Sequence, residues 1–169
     1  MILPSPDVEV AVRPWDPRAV EAAVRVAALV DEARPGTVAE HVGSTAVPGL
    51  AGKGVIDLVV EADPDDIPAL TDVLLGMGFG RQTIEDPFPP TRPMVRGAIE
   101  HDGEVFRLHV HVVPAGSGEA EDFRAFRDRL RADPALRATY EAEKRRIVAC
   151  GLTDERYSVV KSEFVERHR

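Results

Sequence analysis

Positive charge is what this 169-residue sequence has least to spare: 21 Lys and Arg stand against 29 Asp and Glu, a formal charge of −8. A groove that tracks nucleic acid needs a broadly basic surface, so general nucleic-acid binding is excluded, whereas a small anion needs only a local cluster of donors. Cysteine is confined to Cys150, which excludes an intrachain disulfide and any cysteine-built zinc cluster. No apolar run approaches the roughly 18 residues of a membrane span, and the first residues lack the basic region of a signal peptide. The expectation is a soluble cytoplasmic protein. Aromatics make up only 5% of the chain, so its core must be built from Val, Ala, Leu and Ile. Lysine is rare beside arginine, with only Lys53, Lys144 and Lys161, which makes each one worth attention.

The elements that are present read as an α+β pattern in a length typical of one domain. Val8, Val10 and Val12 alternate with Glu9, Ala11 and Arg13 and predict a first strand ended by Pro14. Asp16 and Pro17 begin an amphipathic helix that runs to about Ala33 and stops at Arg34-Pro35-Gly36. A strand over about 37–42 leads to Gly43-Ser44 and a short turn, and the apolar run VIDLVVE over 55–61 is a strand with Asp57 inside it. A helix from Asp63 to Gly76 or Gly78 and a strand over 79–84 precede a loop over 85–93 that is too proline-rich for a central strand. Strands over 94–100 and 104–113 join through His101-Asp102-Gly103, a hairpin signal. Helical patterns follow over 119–131, 134–150 and 154–169. The reading is a mixed α/β half over about 1–117 with its sheet covered mainly on one side, then a helical tail over about 118–169.

The segment EHVGSTAVPGLAGKGVIDLVVE over 40–61 carries the most chemistry. Gly43 allows close backbone approach to a ligand, the Ser44 hydroxyl can donate, and amides at a helix start favour anions. Gly49, Gly52 and Gly54 around Lys53 extend the donor-rich stretch, although Gly54 departs from the phosphate loop G-x-x-x-x-G-K-[ST]. Asp57, flanked by Val55, Ile56, Leu58 and Val59, would cost several kcal/mol to bury unpaired, so it calls for a salt-bridge partner, a cation or a water-filled cleft. Glu61 lies roughly 13 Å further along the strand, too far to share an ion with it. His109 and His111 project from one strand face, with Val110 and Val112 on the other. Two imidazoles so spaced suit one divalent metal or a phosphate, or stand as hydrogen-bonded surface histidines. Arg92, Met94 and Arg96 share a face of the preceding strand, as a basic ledge or an exposed edge. Tyr157, Lys161 and Phe164 fall at i, i+4 and i+7 of the last helix, with Lys161 directed either outward or into a cleft. His41 precedes the turn and faces either the site or the strand's other side, and Cys150 has no base near it in sequence.

HVGSTAVPGLAGKGVIDLVV resembles the signature of the GrpB-like proteins, a group placed with the nucleotidyltransferase superfamily. Gly78-Phe79, the Arg92/Arg96 strand, LHVHVVPAGS, the helical FRAFRDRLRADPALRATYEAEKRR and the ending YSVVKSEFVER extend the resemblance over nearly the whole chain from about Val10. It implies a single domain over 1–169 with a nucleotidyltransferase-like mixed β-sheet packed with helices, plus the C-terminal helical segment. It also implies that Gly43-Ser44 cradles a triphosphate while acidic residues on the next strand hold Mg²⁺. The superfamily pattern places Asp-x-Asp or Asp-x-Glu there, but position 59 is Val. Two-metal phosphoryl transfer needs several carboxylates to hold ions about 4 Å apart, which Asp57 alone cannot do. The group places histidines, here His109 and His111, near the superfamily's third carboxylate. Imidazoles suit Zn²⁺, Mn²⁺ or Ni²⁺ better than Mg²⁺, or serve as acid and base without a metal.

The first functional expectation is a nucleotidyltransferase-like protein that binds a nucleotide or phosphorylated metabolite and transfers a nucleotidyl group with a divalent metal. Its phosphate contacts are Gly43, Ser44, Lys53, Arg92, Arg96 and Lys161, and its catalytic and metal-holding residues are Asp57, His109 and His111. The second is a catalytically degenerate binding module using the same cleft, which the missing second carboxylate favours. Fusion of GrpB-like domains behind dephospho-CoA kinase in some actinobacterial chains would link such a module to coenzyme A metabolism. The third is a metal-dependent hydrolase built on Asp57 and the two histidines.

Overall fold

Two long apolar strands pair at the centre of the molecule and set the position of everything else. The computed structural model describes residues 1–9, 11–82 and 88–151. The expected helix over 154–169, with Tyr157, Lys161 and Phe164, lies outside the described residues, as do residues 83–84 of the strand expected over 79–84.

The strands are β1 (Ala39–Val42), β2 (Val55–Ala62), β3 (Gly80–Arg81), β4 (Met94–His101) and β5 (Glu104–Pro114), in the sheet order β1-β2-β5-β4-β3. The central β2–β5 pair is parallel and the other pairs are antiparallel, a mixed sheet. The helices are α1 (Arg18–Ala33), α2 (Ile67–Gly76), α3 (Glu119–Ala132) and α4 (Pro134–Ala149). Asp16 Oδ1 accepts the Arg18 amide at the start of α1, satisfying a donor that the first helical turn leaves open. In the hairpin between β4 and β5, Asp102 (φ 48°) and Gly103 (φ 74°) are both left-handed, as a two-residue type I′ turn requires.

Period two divides the sheet into two chemically distinct faces. Ile56, Leu58 and Val60 of β2 and Leu108, Val110 and Val112 of β5 pack with Ala22, Ala23, Val26 and Val30 of α1 and with Leu70 and Leu74 of α2. The small alanines of α1 let the helix approach closely, which is how a chain poor in aromatics fills its core. The other face carries Asp57, Val59, His109 and His111, and α3 covers part of it, where Val42, Val59 and Val113 meet Ala120 and Phe123. Leu136 and Tyr140 of α4 pack with Phe126 and Leu130 of α3 and with Val47 and Leu50 of the loop after Gly43. The helical tail is thereby fastened to that loop.

The described residues of the stretch expected as a strand from Val8, namely 8, 9 and 11–13, form no strand. Among the described residues ahead of α1 only isolated bridges form, Leu3 with Ala98 and Arg13 with Gly52, and Val8 is exposed. Alternation supplies a strand face but no pairing edge; it is Ile2 and Leu3, ahead of that stretch, that lie against β4, where a Cβ on Gly97 would stand 2.8 Å from Ile2 Cγ2.

Candidate metal and phosphate site

Asp57, His109 and His111 come together on the face that α3 leaves partly open. The parallel register sets Asp57 beside His109 and Val59 beside His111, so the three polar side chains rise from adjacent strands on one side of the sheet. Asp57 Oδ1 lies 3.4 Å from His109 Nδ1 and 3.5 Å from His111 Nε2. One ligand atom from each of the three lies within 4.8 Å of those of the other two. The Asp57 contacts are longer than ordinary N–H···O bonds of about 2.7–3.2 Å. They match the separation of about 3.4 Å between ligands that bind one tetrahedral ion through bonds near 2.1 Å. The donor set therefore fits a single divalent ion.

Aromatic rings wall the site on the His111 side. Phe123 lies 5.0 Å and Phe88 5.7 Å from the His111 ring centre. Burial lowers the His109 pKa below the usual imidazole value. The Asp57 carboxylate opposes that shift, while the charges of His111 and Lys53 add to it. A lowered pKa keeps the imidazole in its neutral, ligating form through neutral pH.

Gly43 brings the turn onto the aspartate. Its φ of 72° and ψ of −167° lie in a region essentially reserved for glycine, and a Cβ there would stand 2.4 Å from Asp57 Oδ2. Residues Ser44–Ala46 then form one turn of 3-10 helix. Lys144, only 1% exposed, reaches in from α4: its Nζ donates to Ser44 Oγ at 3.3 Å and to the Ala51 carbonyl, and lies 4.6 Å from the Tyr140 ring centre. Sequence reasoning passed over Lys144 as a site residue. Its signal was present, because Leu136, Tyr140, Lys144 and Ile147 form the buried stripe of α4, and a lysine on an apolar stripe needs a polar destination.

The remaining candidates are distributed around this centre. Arg96 pairs in register with His109 and shares its face, as does Met94 opposite His111. Arg92 precedes β4; it pairs with Glu119 at 2.6 Å and lies over the Phe88 ring, so it does not share the Arg96 ledge. Lys53 is half-buried, and its backbone carbonyl accepts from Arg107 at 3.0 Å. Lys161 lies outside the described residues. Two other acids on this face are committed elsewhere: Arg124 of α3 holds Glu61 at 2.7 Å and Glu40 at 2.9 Å. Val59, where the resemblance leads one to expect a second carboxylate, is packed into the apolar cluster under α3.

His41 turns away from the three-residue cluster. Register sets it opposite Leu58, and its Nε2 contacts Thr45 Oγ1 at 2.9 Å while that hydroxyl donates to the Val55 carbonyl. Since Thr45 spends its only proton on Val55, His41 Nε2 is the donor and the ring is held in that tautomer. Burial pushes the His41 pKa down to about 4 from 6.5, and the nearby Arg131 and Arg127 charges act in the same direction against Asp57. The unfolded chain therefore binds the proton that the folded chain refuses, and stability is lost as pH falls from 6.5 toward 4. These pKa values correspond to a loss of about 2 kcal/mol at pH 5. A His41→Gln variant is expected to show a flatter profile of melting temperature over that range, and an unchanged profile would remove His41 as the cause.

A family model described as GrpB protein matches residues 9–169 of this chain. A UPF0157 protein of Streptomyces coelicolor is 37% identical over 128 residues, 75% of this chain and 63% of that protein. One from Pseudomonas aeruginosa is 36% identical over 137 residues, 80% of this chain and 55% of that protein. The chain thus spans less than two thirds of the length of either relative. Among solved structures, the conserved protein GrpB from Enterococcus faecalis superposes with a TM-score of 0.66 at 22% identity, covering 94% of this chain and 99% of that one. The Cid1 poly(U) polymerase, solved with MgGTP bound, gives a TM-score of 0.51 at 17% identity over 77% of this chain and 42% of that one. At such identities the likeness speaks to the fold, which is nucleotidyltransferase-like, with a mixed sheet packed by helices. Among the described residues, no helix is long and apolar enough to cross a membrane.

Proposed function

The chain belongs to the GrpB protein family, and from that premise we propose that it binds a nucleotide or another phosphorylated metabolite together with one divalent ion. The observation that carries this reading is the convergence of Asp57, His109 and His111 against the Gly43–Ser44 turn. Asp57 and the two imidazoles hold the ion, and two nitrogen donors with one carboxylate favour Mn²⁺ or Zn²⁺ over Mg²⁺. When bound, such an ion acts as a Lewis acid on a phosphate oxygen. The Ser44 hydroxyl and the Lys144 ammonium form a donor pair beside the turn, so an arriving phosphate exchanges into contacts that are already oriented. Arg96, on the His109 face, adds positive charge on the opposite side. The likeness to a polymerase solved with MgGTP makes nucleoside triphosphates the first ligands to try.

Val59 favours the non-catalytic version of this reading over nucleotidyl transfer. A carboxylate at that position would be buried in the cluster of Val42, Val113 and Ala120, so a second metal-holding acid has no place on β2. Lys53 and Arg92 remain proposed phosphate contacts at the periphery.

Calorimetric titration of ATP, GTP, CTP and UTP, each with Mn²⁺, Zn²⁺, Mg²⁺ or no metal, tests the proposal. Saturable binding that requires a metal and weakens about tenfold in Lys144→Met, roughly 1.4 kcal/mol, is expected. Failure of every triphosphate together with failure of every metal would overturn it. Turnover of labelled triphosphate that disappears in Asp57→Asn would establish transfer over simple binding.

A further inference from the structure

Helix α3 reaches both ends of the Gly43 turn. Arg124, Arg127 and Arg131 fall at i, i+3 and i+7 and so share one face of the helix. Arg124 is committed to Glu40 and Glu61, but the other two guanidinium groups reach backbone carbonyls. Arg127 Nη1 donates to the His41 carbonyl at 3.1 Å, two residues before Gly43. Arg131 donates through both Nε and Nη2 to the Ala46 carbonyl, at 3.0 and 2.7 Å, three residues after it. The Ala46 carbonyl ends the 3-10 turn, where donors from within a helix run out, so Arg131 supplies what the turn itself cannot. Asp128 stands between the two forks and accepts from both, from Arg127 at 2.8 Å and from Arg131 at 3.4 Å.

The residue held between these two contacts is a hinge. Gly43 has a φ of 72°, and glycine has more backbone freedom to lose than any other residue, so a turn built on it relies on ties at its flanks. Because a Cβ at Gly43 would stand 2.4 Å from Asp57 Oδ2, the turn is the wall against which that carboxylate is set. Movement of the turn away from β2 would release the carboxylate into other rotamers. Trp15 and Lys144 hold the middle of the turn, at the Thr45 carbonyl (2.9 Å) and at Ser44 Oγ (3.3 Å), whereas α3 holds its ends. The same helix also meets the ion cluster directly, through Phe123 against the His111 ring.

We propose that Arg127 and Arg131 are positioning residues, which clamp the carbonyls on either side of Gly43 and so keep the turn seated against Asp57. They act through the backbone rather than on a ligand. Their effect on ion affinity rests on the ion site proposed above; the seating of the turn does not. The Arg131 side chain is 46% exposed, and Phe126 and Leu130 carry the packing of α3 on α4, so replacing Arg131 spares the core.

Hydrogen exchange of the protein without metal, read by mass spectrometry, and calorimetric titration with Mn²⁺ and Zn²⁺ test the clamp. The variants are Arg131→Met, Arg131→Lys, and Arg127→Met combined with Arg131→Met. Amides over 43–47 are expected to exchange at least tenfold faster in the double variant and about threefold faster in Arg131→Met, with β2 and β5 unchanged. Ion affinity is expected to fall about fivefold in the double variant. Removing nearby cations would by itself strengthen the binding of another cation, so weaker binding reports on position and not on charge. Arg131→Lys keeps one donor for the Ala46 carbonyl and is expected to fall between Arg131→Met and the wild type in both readouts. Should the double variant not fold, Arg131→Met decides by the same criteria. Unchanged exchange over 43–47, an equal rise in β2 and β5, or a loosened turn with unchanged ion affinity overturns the proposal. A wild type that binds neither metal sinks the ion site alone, and the exchange rates then decide whether α3 seats the turn.

Discussion

Asparagine at position 57 is expected to abolish tight divalent-ion binding while leaving the fold in place. Asp57 is the carboxylate of the three-residue cluster and the atom from which both imidazole distances are measured. Asparagine keeps the shape but removes the charge, so affinity should fall at least about 100-fold, beyond the 10–100-fold typical of losing an outer partner of a ligand. A metal at 100 times its Kd stabilises the folded wild type by about 2.7 kcal/mol. For a chain of this size that raises Tm by about 5–10 °C. Scanning calorimetry with and without Mn²⁺ or Zn²⁺ should show this rise in the wild type and none in Asp57→Asn, with the metal-free melting temperatures within a few degrees of each other. A variant that keeps its metal-induced shift would mean that the ion, if bound, sits elsewhere.

Gly43→Ala is expected to damage stability and the ion site together. The backbone at position 43 is in a conformation that costs an L-residue about 1–3 kcal/mol. In addition, the new methyl would overlap Asp57 Oδ2 at 2.4 Å, so either the turn or the carboxylate must move. A loss of about 3 kcal/mol corresponds to a fall in Tm of about 6–12 °C. Because the displaced atom belongs to Asp57, metal affinity should drop even in the folded fraction. Gly49→Ala serves as the comparison, since Gly49 also has positive φ but no atom lies within 4 Å of a Cβ there. It should share the backbone strain and keep the ion. Equal metal affinity in both variants would show that Asp57 does not depend on the turn's close approach.

Most of the fold was legible locally. The runs over 55–61 and 104–113 announced β2 and β5, and Asp102-Gly103 announced the hairpin of β4 with β5, because side-chain period and turn chemistry are properties of neighbouring residues. The segment around Val8 misled for the same reason: its alternation was real, but a strand exists only where an edge receives it. Arg92 failed to join Arg96 because the strand begins at Met94, and Pro93 separates the two. Lys144 lies on the buried stripe of α4, but only the packing of α4 on the loop after Gly43 carries its ammonium to Ser44.

The sequence by itself determined that His109 and His111 share a face, that Asp57 needs a partner, and that no second carboxylate stands two residues beyond it. Which partner Asp57 has was decided by the parallel register of β2 on β5, a contact between residues more than fifty positions apart that no local pattern encodes. The tertiary structure likewise decided that Glu61 and Glu40 close on Arg124 rather than on an ion, and that the Lys144 ammonium meets Ser44 beside the Gly43 turn. Spacing selects the face a side chain occupies; only the packing of distant strands and helices selects what it meets there.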